Sequence, residues 1–427
     1  MPTERPTSLP AVIARYAASV HASVRGEQSV VSALGAWLVL ALAGLADDDA
    51  PRSEADPDAA AVEAGVGLSL PDAGRRAADL LGAPHPAVAA AVGMWWRDDA
   101  VTDRLSEYVR RLPAAATREP LAGQEQLDAW ARDHTLGLVD RFPAQVSPEL
   151  LLVLGSALAT KVRWLQPFDV VPASQLAVAG ERGGFAARVA RALRSVRGHD
   201  VRLVLTQAAG LVGAHVAASG DGLAVVSVLG AADVAHEVVL AAAYEVALGL
   251  NGARIGDHVS LFDLPSGRSE LGEVVEDTVA ARGAVNRIEE GVAVLPTWQA
   301  STSLDLLSGP TADGFRGAAQ LLARLLPAGP TALDARQVAV ATYSREGFEA
   351  AAVTGMGVRA AFTVVPREVL RRTLTLRFDR PYAAVAVAVD PPERPGTGAA
   401  WFGLPVFGAW IAEPSETAAT GDAEIDV

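Results

Sequence analysis

The feature that most restricts the fold of this chain is an uninterrupted apolar run near its N-terminus. Residues 30–46 read VVSALGAWLVLALAGLA without a single charge, and Asp47, Asp48 and Asp49 follow directly. A helix of that length measures about 26 Å, which is marginal for crossing the hydrocarbon core of a bilayer. A helix that is apolar all round and stays in water must be covered on every side. We therefore expect a helix at the centre of a large domain, with a membrane-associated protein as the alternative.

Composition removes several classes of function. Half of the 427 residues are hydrophobic and 20% are charged, so the bulk of the chain can bury a core. The net charge of -14 would repel a phosphate backbone, and we expect no nucleic-acid partner. The chain has no cysteine, which excludes disulfides, thiolate metal ligands and cysteine nucleophiles. No apolar segment with a cleavage site directly follows the start MPTERP, so we expect no secretory signal and a cytoplasmic or non-classically released protein.

The order of the elements predicts the fold class. Alanine- and leucine-rich segments indicate helices at 9–24, 30–46, 59–81 and 124–139, whereas β-branched runs dominate after about residue 150. Ser219-Gly220-Asp221-Gly222 between two such runs is typical of a hairpin turn. Helices followed by strands favour an α+β architecture over a βαβ repeat. Residues 261–286 match no single pattern and receive no element.

Motifs of catalysis are missing or incomplete. His236-Glu237 lacks a second histidine one helical turn later, and the seven histidines show no paired ligand spacing. Ser156 lacks the flanking glycines of a nucleophile elbow, and the chain contains no phosphate-binding Gly-Lys-Ser/Thr loop. We therefore expect neither catalytic residues nor a bound cofactor or metal, and no enzymatic activity.

One segment points to a conformational function. Residues 344–354 read SREGFEAAAVT and follow the apolar run 338–343. A segment that slides between two packed strands needs small side chains, because large ones would clash with a filled interior. Successive residues of a strand face opposite sides, so Phe348, Ala350, Ala352 and Thr354 would share one side and Glu349 the other.

This segment resembles the reactive-loop hinge of the serpins, where Gly-Thr-Glu-Ala-Ala-Ala-x-Thr marks a loop that enters the central sheet after cleavage. Further segments are similar to serpin motifs in the same order along residues 9–414. They are 127–131 (LDAWA), 161–169 (KVRWLQPFD), 377–382 (RFDRPY), and 405–408 (PVFG) with 411–414 (IAEP). The resemblance assigns the hinge to Glu346, Gly347, Phe348, Glu349, Ala350, Ala351, Ala352 and Thr354.

The resemblance implies a fold and a function. The expected fold has a helical N-terminal part, a large central mixed β-sheet, further C-terminal sheets and an exposed reactive loop. We expect one domain over residues 1–414, with the loop at about 344–366, and a flexible acidic tail over 415–427. The implied function is that of a monomeric suicide substrate, which traps a serine protease by inserting its cleaved loop into the central sheet.

Family convention counts fourteen residues from Gly347 and places the scissile bond between Ala361 and Phe362. Small residues there suit an elastase-like or subtilisin-like protease. A shift of two residues would place the cut between Arg359 and Ala360 and select a trypsin-like protease, whose pocket is acidic.

Departures from the family pattern concern the region where the sheet must open. Trp164 matches the tryptophan that caps the top of the sheet, but Ser32 and Ser156 stand in an altered polar cluster, and Gln337 replaces the expected histidine. Phe348 replaces a small hinge residue, and overpacking a filled core costs about 1–3 kcal/mol. These departures favour an alternative, a non-inhibitory protein of the same fold that binds a ligand or partner or serves a biosynthetic step.

Overall fold

The computed structural model describes residues 8–24, 26–47, 56–176, 184–281, 286–327, 335–348, 367–392 and 394–416. Its α-helices are α1 (Leu9–His21), α2 (Ala33–Ala43), α3 (Pro57–Val66), α4 (Leu70–Gly82), α5 (Asp103–Arg111), α6 (Gln124–His134), α7 (His236–Leu248) and α8 (Ala312–Ala323). The segment 59–81, expected as one helix, is divided between α3 and α4. Gly67 makes the division because it adopts a positive φ of 68° at the end of α3.

Within the described ranges, nine strands begin in the first half of the chain. They are β1 (Ser29–Val31), β2 (Ala89–Trp96), β3 (Thr117–Pro120), β4 (Leu152–Ala159), β5 (Val162–Arg163), β6 (Asp169–Pro172), β7 (Arg191–Arg194), β8 (Asp200–Thr206) and β9 (Gly210–Ala218). The later strands are β10 (Leu223–Leu229), β11 (Leu250–Asn251), β12 (Arg254–Ile255), β13 (Gly267–Arg268), β14 (Gly272–Ala281), β15 (Arg287–Leu295), β16 (Trp298–Asp305), β17 (Arg336–Tyr343), β18 (Gly347–Phe348), β19 (Arg367–Arg377), β20 (Tyr382–Ala388) and β21 (Pro405–Ile411). The α+β expectation is confirmed.

A six-stranded antiparallel sheet forms the base of the molecule in the order β1-β21-β20-β10-β9-β8. Strands β10, β20 and β21 are buried at every position, which explains why their sequences are apolar throughout instead of alternating. The predicted hairpin turn joins β9 to β10, with Gly222 at a φ of 91° and the Ser219 amide bonded to the Leu223 carbonyl at 2.8 Å.

A second six-stranded sheet has the order β13-β14-β19-β15-β7-β6 and is mixed, because β15 runs parallel to β19. Two of its strands, β13 and β14, come from the region that received no element from sequence. Three further strands form the sheet β3-β2-β4, and β16 pairs with β17 in a separate ladder.

Helix α2 lies at the centre, as the apolar run predicts. Every residue of this helix except Val39 is buried, and the Ser32 hydroxyl caps it by accepting a hydrogen bond from the Gly35 amide at 3.2 Å. The α-helix is shorter than the run, since residue 30 belongs to β1 and residues 44–46 form a 3₁₀ turn. Within the described ranges, no helix is long and apolar enough to cross a membrane.

The first two residues of the segment that we assigned to the C-terminal tail contact the body of the protein. The Ser415 amide donates to the Thr297 carbonyl at 3.1 Å, and a Glu416 carboxylate oxygen accepts from the Ala190 amide at 2.7 Å. Both residues, which we assigned to the tail, are therefore held against the body. Residues 417–427 lie outside the described part of the chain.

Candidate functional site

A tight turn reverses the chain directly after β17. The Ser344 amide and hydroxyl both donate to the Gly347 carbonyl at 3.0 Å, which closes the turn over Arg345 and Glu346. Gly347 then pairs with Arg163 of β5. A Cβ at Gly347 would lie 2.1 Å from the Val162 carbonyl oxygen, so only glycine fits at this hinge position.

Trp164 fastens this turn to the strand that follows β4. Its amide donates to the Glu346 carbonyl and its indole Nε1 to the Ser344 carbonyl, both at 3.1 Å. Its ring lies 5.1 Å from the ring of Tyr343. The backbone amide and the side chain of this one residue therefore hold two successive parts of the turn.

Phe168, four residues after Trp164, holds the turn from the other side. Its amide donates to the Arg345 carbonyl at 3.1 Å, and the Arg345 Nε donates back to the Phe168 carbonyl at 3.2 Å. This reciprocal pair attaches the 161–169 motif to the turn at a second point.

Phe348 is already part of the core. Its ring is 5% exposed and meets the ring of Trp298 edge to face, with 6.3 Å between centroids. We expected the Phe348 ring to overpack a filled core when the loop entered the sheet. The structure differs from that expectation, because the Phe348 ring is already buried against Trp298 on β16.

The predicted polar cluster comes together beneath the strands. The Gln337 side chain accepts from the Ser32 amide at 3.1 Å and donates to the Ser32 carbonyl at 2.8 Å. The Ser156 hydroxyl donates to the Gly35 carbonyl at 2.8 Å, and the Ser32 hydroxyl donates to the Val406 carbonyl at 2.9 Å. These bonds attach β17 and β4 separately to the N-terminus of α2.

Gly35 is needed in this cluster for a steric reason. A Cβ at Gly35 would lie 3.3 Å from the Ser32 hydroxyl oxygen and 3.4 Å from that of Ser156. A larger residue would press on both hydroxyls, so glycine lets the two serines approach the helix closely.

A groove separates β4 from β17. Among the described residues, β4 pairs only with β2 and β17 only with β16, and no ladder joins β4 to β17. The two strands converge where their C-terminal ends continue into the β5–β18 pair. An open cavity between them is lined by both strands along their lengths.

The inner wall of the groove is apolar and incompletely covered. Leu152, Leu154 and Leu158 of β4 are half-buried, whereas Ala339 and Ala341 of β17 are buried. Half-buried leucines beside unpaired strand edges leave both apolar surface and backbone hydrogen-bonding groups open to another strand.

Two histidines lie directly beneath Phe168. His199 Nδ1 and His215 Nε2 are 2.9 Å apart and share one hydrogen bond, and the rings stack at 18°. His199 Nε2 is 2.8 Å from the Gln166 carbonyl oxygen. Burial lowers the pKa of His199, and it lowers that of His215 further, with His199 adding to the effect. Sequence reasoning missed this pair, because His199, just before β8, and His215 on β9 have no recognisable ligand spacing.

The remaining predicted site residues lie outside the described ranges. They are Glu349, Ala350, Ala351, Ala352, Thr354, Arg359, Ala360, Ala361 and Phe362. The structure brings the described ones into two groups, one at the turn (Trp164, Glu346, Gly347 and Phe348) and one below the groove (Ser32, Ser156 and Gln337). Within the part of the chain described, no three histidine or acidic side chains are placed to hold a metal ion.

Comparison with known proteins gives a match in structure alone. No protein-family model matches the sequence, and no curated protein matches it. Among solved structures, the native state of the thermophilic serpin tengpin is 13% identical, covers 96% of each chain and has a TM-score of 0.58. Thyroxine-binding globulin with thyroxine is 12% identical over 95% of this chain and 99% of its own, with a TM-score of 0.59.

Human glycosylated kallistatin is 12% identical over 96% of this chain and 98% of its own, with a TM-score of 0.59. At these identities the matches establish architecture and leave activity open. The chain has the serpin fold.

Proposed function

We propose that the protein is a suicide-substrate inhibitor of a serine protease, which traps the enzyme by drawing its cleaved loop into the groove between β4 and β17. The observation that carries this proposal is the turn at Ser344–Gly347, which reverses the chain at the mouth of an open, strand-sized groove. Phe348 lines the groove, so a strand that continued in its direction would enter the groove without a further reversal.

The turn also sets the register of the inserted strand. Ser344 faces Gly347 across it, so continuing the hairpin places Phe348 opposite Tyr343 and each later residue opposite an earlier one of β17. The pairs on the inner face are Ala350 with Ala341, Ala352 with Ala339, and Thr354 with Gln337.

This register matches side-chain size to the available space. Ala339 and Ala341 are buried on the side that faces the core, so their partners Ala350 and Ala352 would enter between packed neighbours. Thr354 would arrive at the polar cluster, where Gln337 bonds to Ser32 and the Ser156 hydroxyl donates to the Gly35 carbonyl. Glu349 and Ala351 would face outward, where a carboxylate keeps its water.

Insertion is favourable because the new strand pairs with the open edges of both β4 and β17. Strands β4 and β17 each have eight residues, so the groove is about 27 Å long and accepts about eight residues, 349–356. The new strand would satisfy backbone groups on both sides, at about 1 kcal/mol net for each hydrogen bond, and would cover the half-buried leucines of β4.

This chain provides the scissile bond and the loop that inserts, and the protease catalyses the cleavage. The protease serine oxygen attacks the carbonyl carbon of Ala361, an ester forms, and the bond to the Phe362 nitrogen breaks as that nitrogen takes a proton. Insertion then carries the esterified enzyme away from the turn before water can hydrolyse the ester. Small residues at the cut select elastase-like or subtilisin-like enzymes, and a cut after Arg359 would select a trypsin-like one.

A second candidate is a non-inhibitory protein that uses the same fold to bind a ligand or partner. The similarity to a globulin solved with thyroxine favours this candidate. In that case the loop would be cut without trapping the enzyme.

The test is incubation of the protein with elastase, subtilisin and trypsin, followed by a denaturing gel of boiled samples. We expect a covalent complex with at least one enzyme, no complex when its catalytic serine is replaced by alanine, and a higher melting temperature for protein nicked within 349–366. Ala361→Arg should add complex formation with trypsin, and Arg359→Ala serves as its matched control. Complete cleavage without complex and without a rise in melting temperature would refute inhibition and support the second candidate.

A further inference from the structure

Five deeply buried polar atoms lie between the six-stranded antiparallel base sheet and the β16–β17 ladder. This junction cluster consists of the Ser227 hydroxyl, the Tyr343 and Tyr382 hydroxyls, Trp298 Nε1 and His215 Nδ1. Each of the five residues is at most 1% exposed. Among the described residues, none of these atoms has a protein hydrogen-bond partner. Buried polar groups are almost always bonded to protein or to ordered water, so a group of five needs an explanation.

Three side chains of the junction cluster lie on one face of the base sheet. Ser227 of β10 is directly opposite His215 of β9 and, on its other side, directly opposite Ala384 of β20. Tyr382 is two residues before Ala384 on β20, and alternate residues of a strand share a face. Ser227, His215 and Tyr382 therefore project from this sheet on the same side.

The other two side chains of the cluster come from the β16–β17 ladder. Trp298 and Tyr343 are directly opposite each other, and their rings stack at 13° with 5.8 Å between centroids. The Phe168 ring touches both layers, since its centroid lies 5.6 Å from that of His215 and 5.8 Å from that of Tyr343. The ladder and the base sheet thus face each other at this place.

Polar atoms of the two layers are neighbours without being bonded to each other. Burial, with Tyr382 adding to the effect, raises the pKa of Tyr343, and the Ser227 hydroxyl acts against that rise. Burial likewise raises the pKa of Tyr382, and the Trp298 indole acts against it. Polar groups that influence one another at more than hydrogen-bond distance are commonly bridged by water.

The hydrogen bonds of the histidine pair define the role of His215 in the cluster. The Gln166 carbonyl can only accept, so His199 Nε2, which lies 2.8 Å away, donates to it. Burial lowers the pKa of both histidines, so each ring is neutral at pH 7 and has a single N–H. His199 Nδ1 therefore accepts from His215 Nε2 at 2.9 Å. His215 Nδ1 is left with a lone pair that needs a donor.

Donors and acceptors in the junction cluster complement each other through water. Trp298 Nε1 can only donate, and His215 Nδ1 in this tautomer can only accept. The three hydroxyls can do either. A buried water molecule typically makes about three hydrogen bonds, so about two water molecules are enough to satisfy all five atoms.

We propose that ordered water molecules bind in the junction cluster and join the base sheet to the β16–β17 ladder. Trp298 is also the residue against which the Phe348 ring packs, and Tyr343 directly precedes the turn. The bound water therefore holds the two side chains on which the hinge rests. This site belongs to the uncut fold and is independent of the inhibitory function.

The first test removes one hydroxyl at a time and measures unfolding in denaturant. A buried hydroxyl without any partner destabilises the folded protein, so its removal would raise the equilibrium constant for folding. A hydroxyl bound to water stabilises the folded protein, so Tyr343→Phe and Tyr382→Phe should each lower that constant about fivefold. The double variant should lower it by less than the product of the two single changes, because both hydroxyls belong to one network.

The matched control is Tyr108→Phe, which removes a buried hydroxyl that donates directly to the Leu42 carbonyl at 3.0 Å. It should also lower the folding constant. Combined with Tyr343→Phe, its effect should multiply fully, because the two hydroxyls share no partner.

Two further measurements locate the water and the protons. A crystal structure of the uncut protein should show at least one water within about 3.2 Å of three or more atoms of the junction cluster. Nitrogen-15 NMR of histidine-labelled protein should show His199 and His215 both protonated at Nε2 at pH 7.

Any of three results would overturn the proposal. A raised folding constant in Tyr343→Phe or Tyr382→Phe would mean that the hydroxyl has no partner at all. Direct hydrogen bonds among the five atoms, with no water between them, would mean that the protein satisfies them alone. A proton at His215 Nδ1 would remove the acceptor that the site requires.

Discussion

Gln337 and Ser32 are bound to each other through both ends of one amide, although they are 305 residues apart in the chain. The Gln337 oxygen accepts from the Ser32 amide, and its nitrogen donates to the Ser32 carbonyl at 2.8 Å. An amide can satisfy a backbone donor and acceptor simultaneously, which a single imidazole nitrogen cannot. In the polar cluster that the sequence predicts to be altered, Gln337 therefore binds both backbone groups of Ser32.

Gln337→Ala should lower the free energy of unfolding by about 2 kcal/mol, because the part-buried Ser32 amide loses its acceptor and the Ser32 carbonyl keeps only the Ala36 amide as a donor. The reduced attachment of β17 should also speed insertion after the loop is nicked. Denaturant unfolding of uncut protein measures the first effect. Gln175→Ala, at an exposed position, is the matched control, and an equal loss in both variants would contradict the role of the amide pair.

Phe348→Thr should destabilise the uncut protein by about 3 kcal/mol, since it removes a buried ring from its contact with Trp298. It should not increase the ratio of covalent complex to cleaved product, because the native ring already occupies its site before cleavage. Phe402→Thr, at a ring that is 46% exposed, should change stability little. A higher proportion of complex with Phe348→Thr would show that the ring hinders insertion after all.

Alternation along the inserted strand predicts opposite results for adjacent alanines. Ala352→Arg should prevent trapping, because the register places its side chain on the inner face opposite Ala339, where an unpaired charge is strongly disfavoured. Ala351→Arg should leave trapping nearly intact, because its side chain would face solvent. We expect the ratio of complex to cleaved product to fall more than tenfold for the first variant alone. Equal effects would exclude the register set by the Ser344 turn.

Acid should weaken the top of the sheet through His199 and His215. Burial lowers the pKa of both below the ordinary value of 6.5, so an unfolded chain takes up protons that the folded chain refuses. The contribution of these histidines to the free energy of unfolding is complete above pH 6.5. It decreases as the pH falls below 6.5, by at most about 1.4 kcal/mol per pH unit for each histidine.

The slope of stability against pH between 6.5 and 5 tests this effect. His199→Gln should flatten the slope, whereas His258→Gln, at an exposed histidine, should not. His21 will maintain part of the slope in both variants, since burial, with a contribution from His236, lowers its pKa to about 4. An unchanged slope in His199→Gln would show that the pair does not titrate with unfolding.

Local sequence patterns were sufficient to predict several parts of this protein. The uncharged run at residues 30–46 could be satisfied only by burial on all sides, and α2 is the most central helix. Small residues after Phe348 and the motif around Trp164 predicted a sheet into which another strand can insert. In the structure, Trp164 is hydrogen-bonded to the turn that precedes these small residues. These features depend on properties of neighbouring residues, which a linear pattern records.

Contacts between distant segments were decided by the tertiary structure alone. The Phe348 ring packs against Trp298, His199 meets His215 of β9, and β14 pairs with β19, roughly ninety to a hundred positions further along the chain. Strand pairing and register arise from the simultaneous packing of several elements, so no single segment encodes them. For that reason the sequence alone could only predict an inserting loop, whereas the groove between β4 and β17 and the pairing of β14 with β19 became visible only in the folded chain.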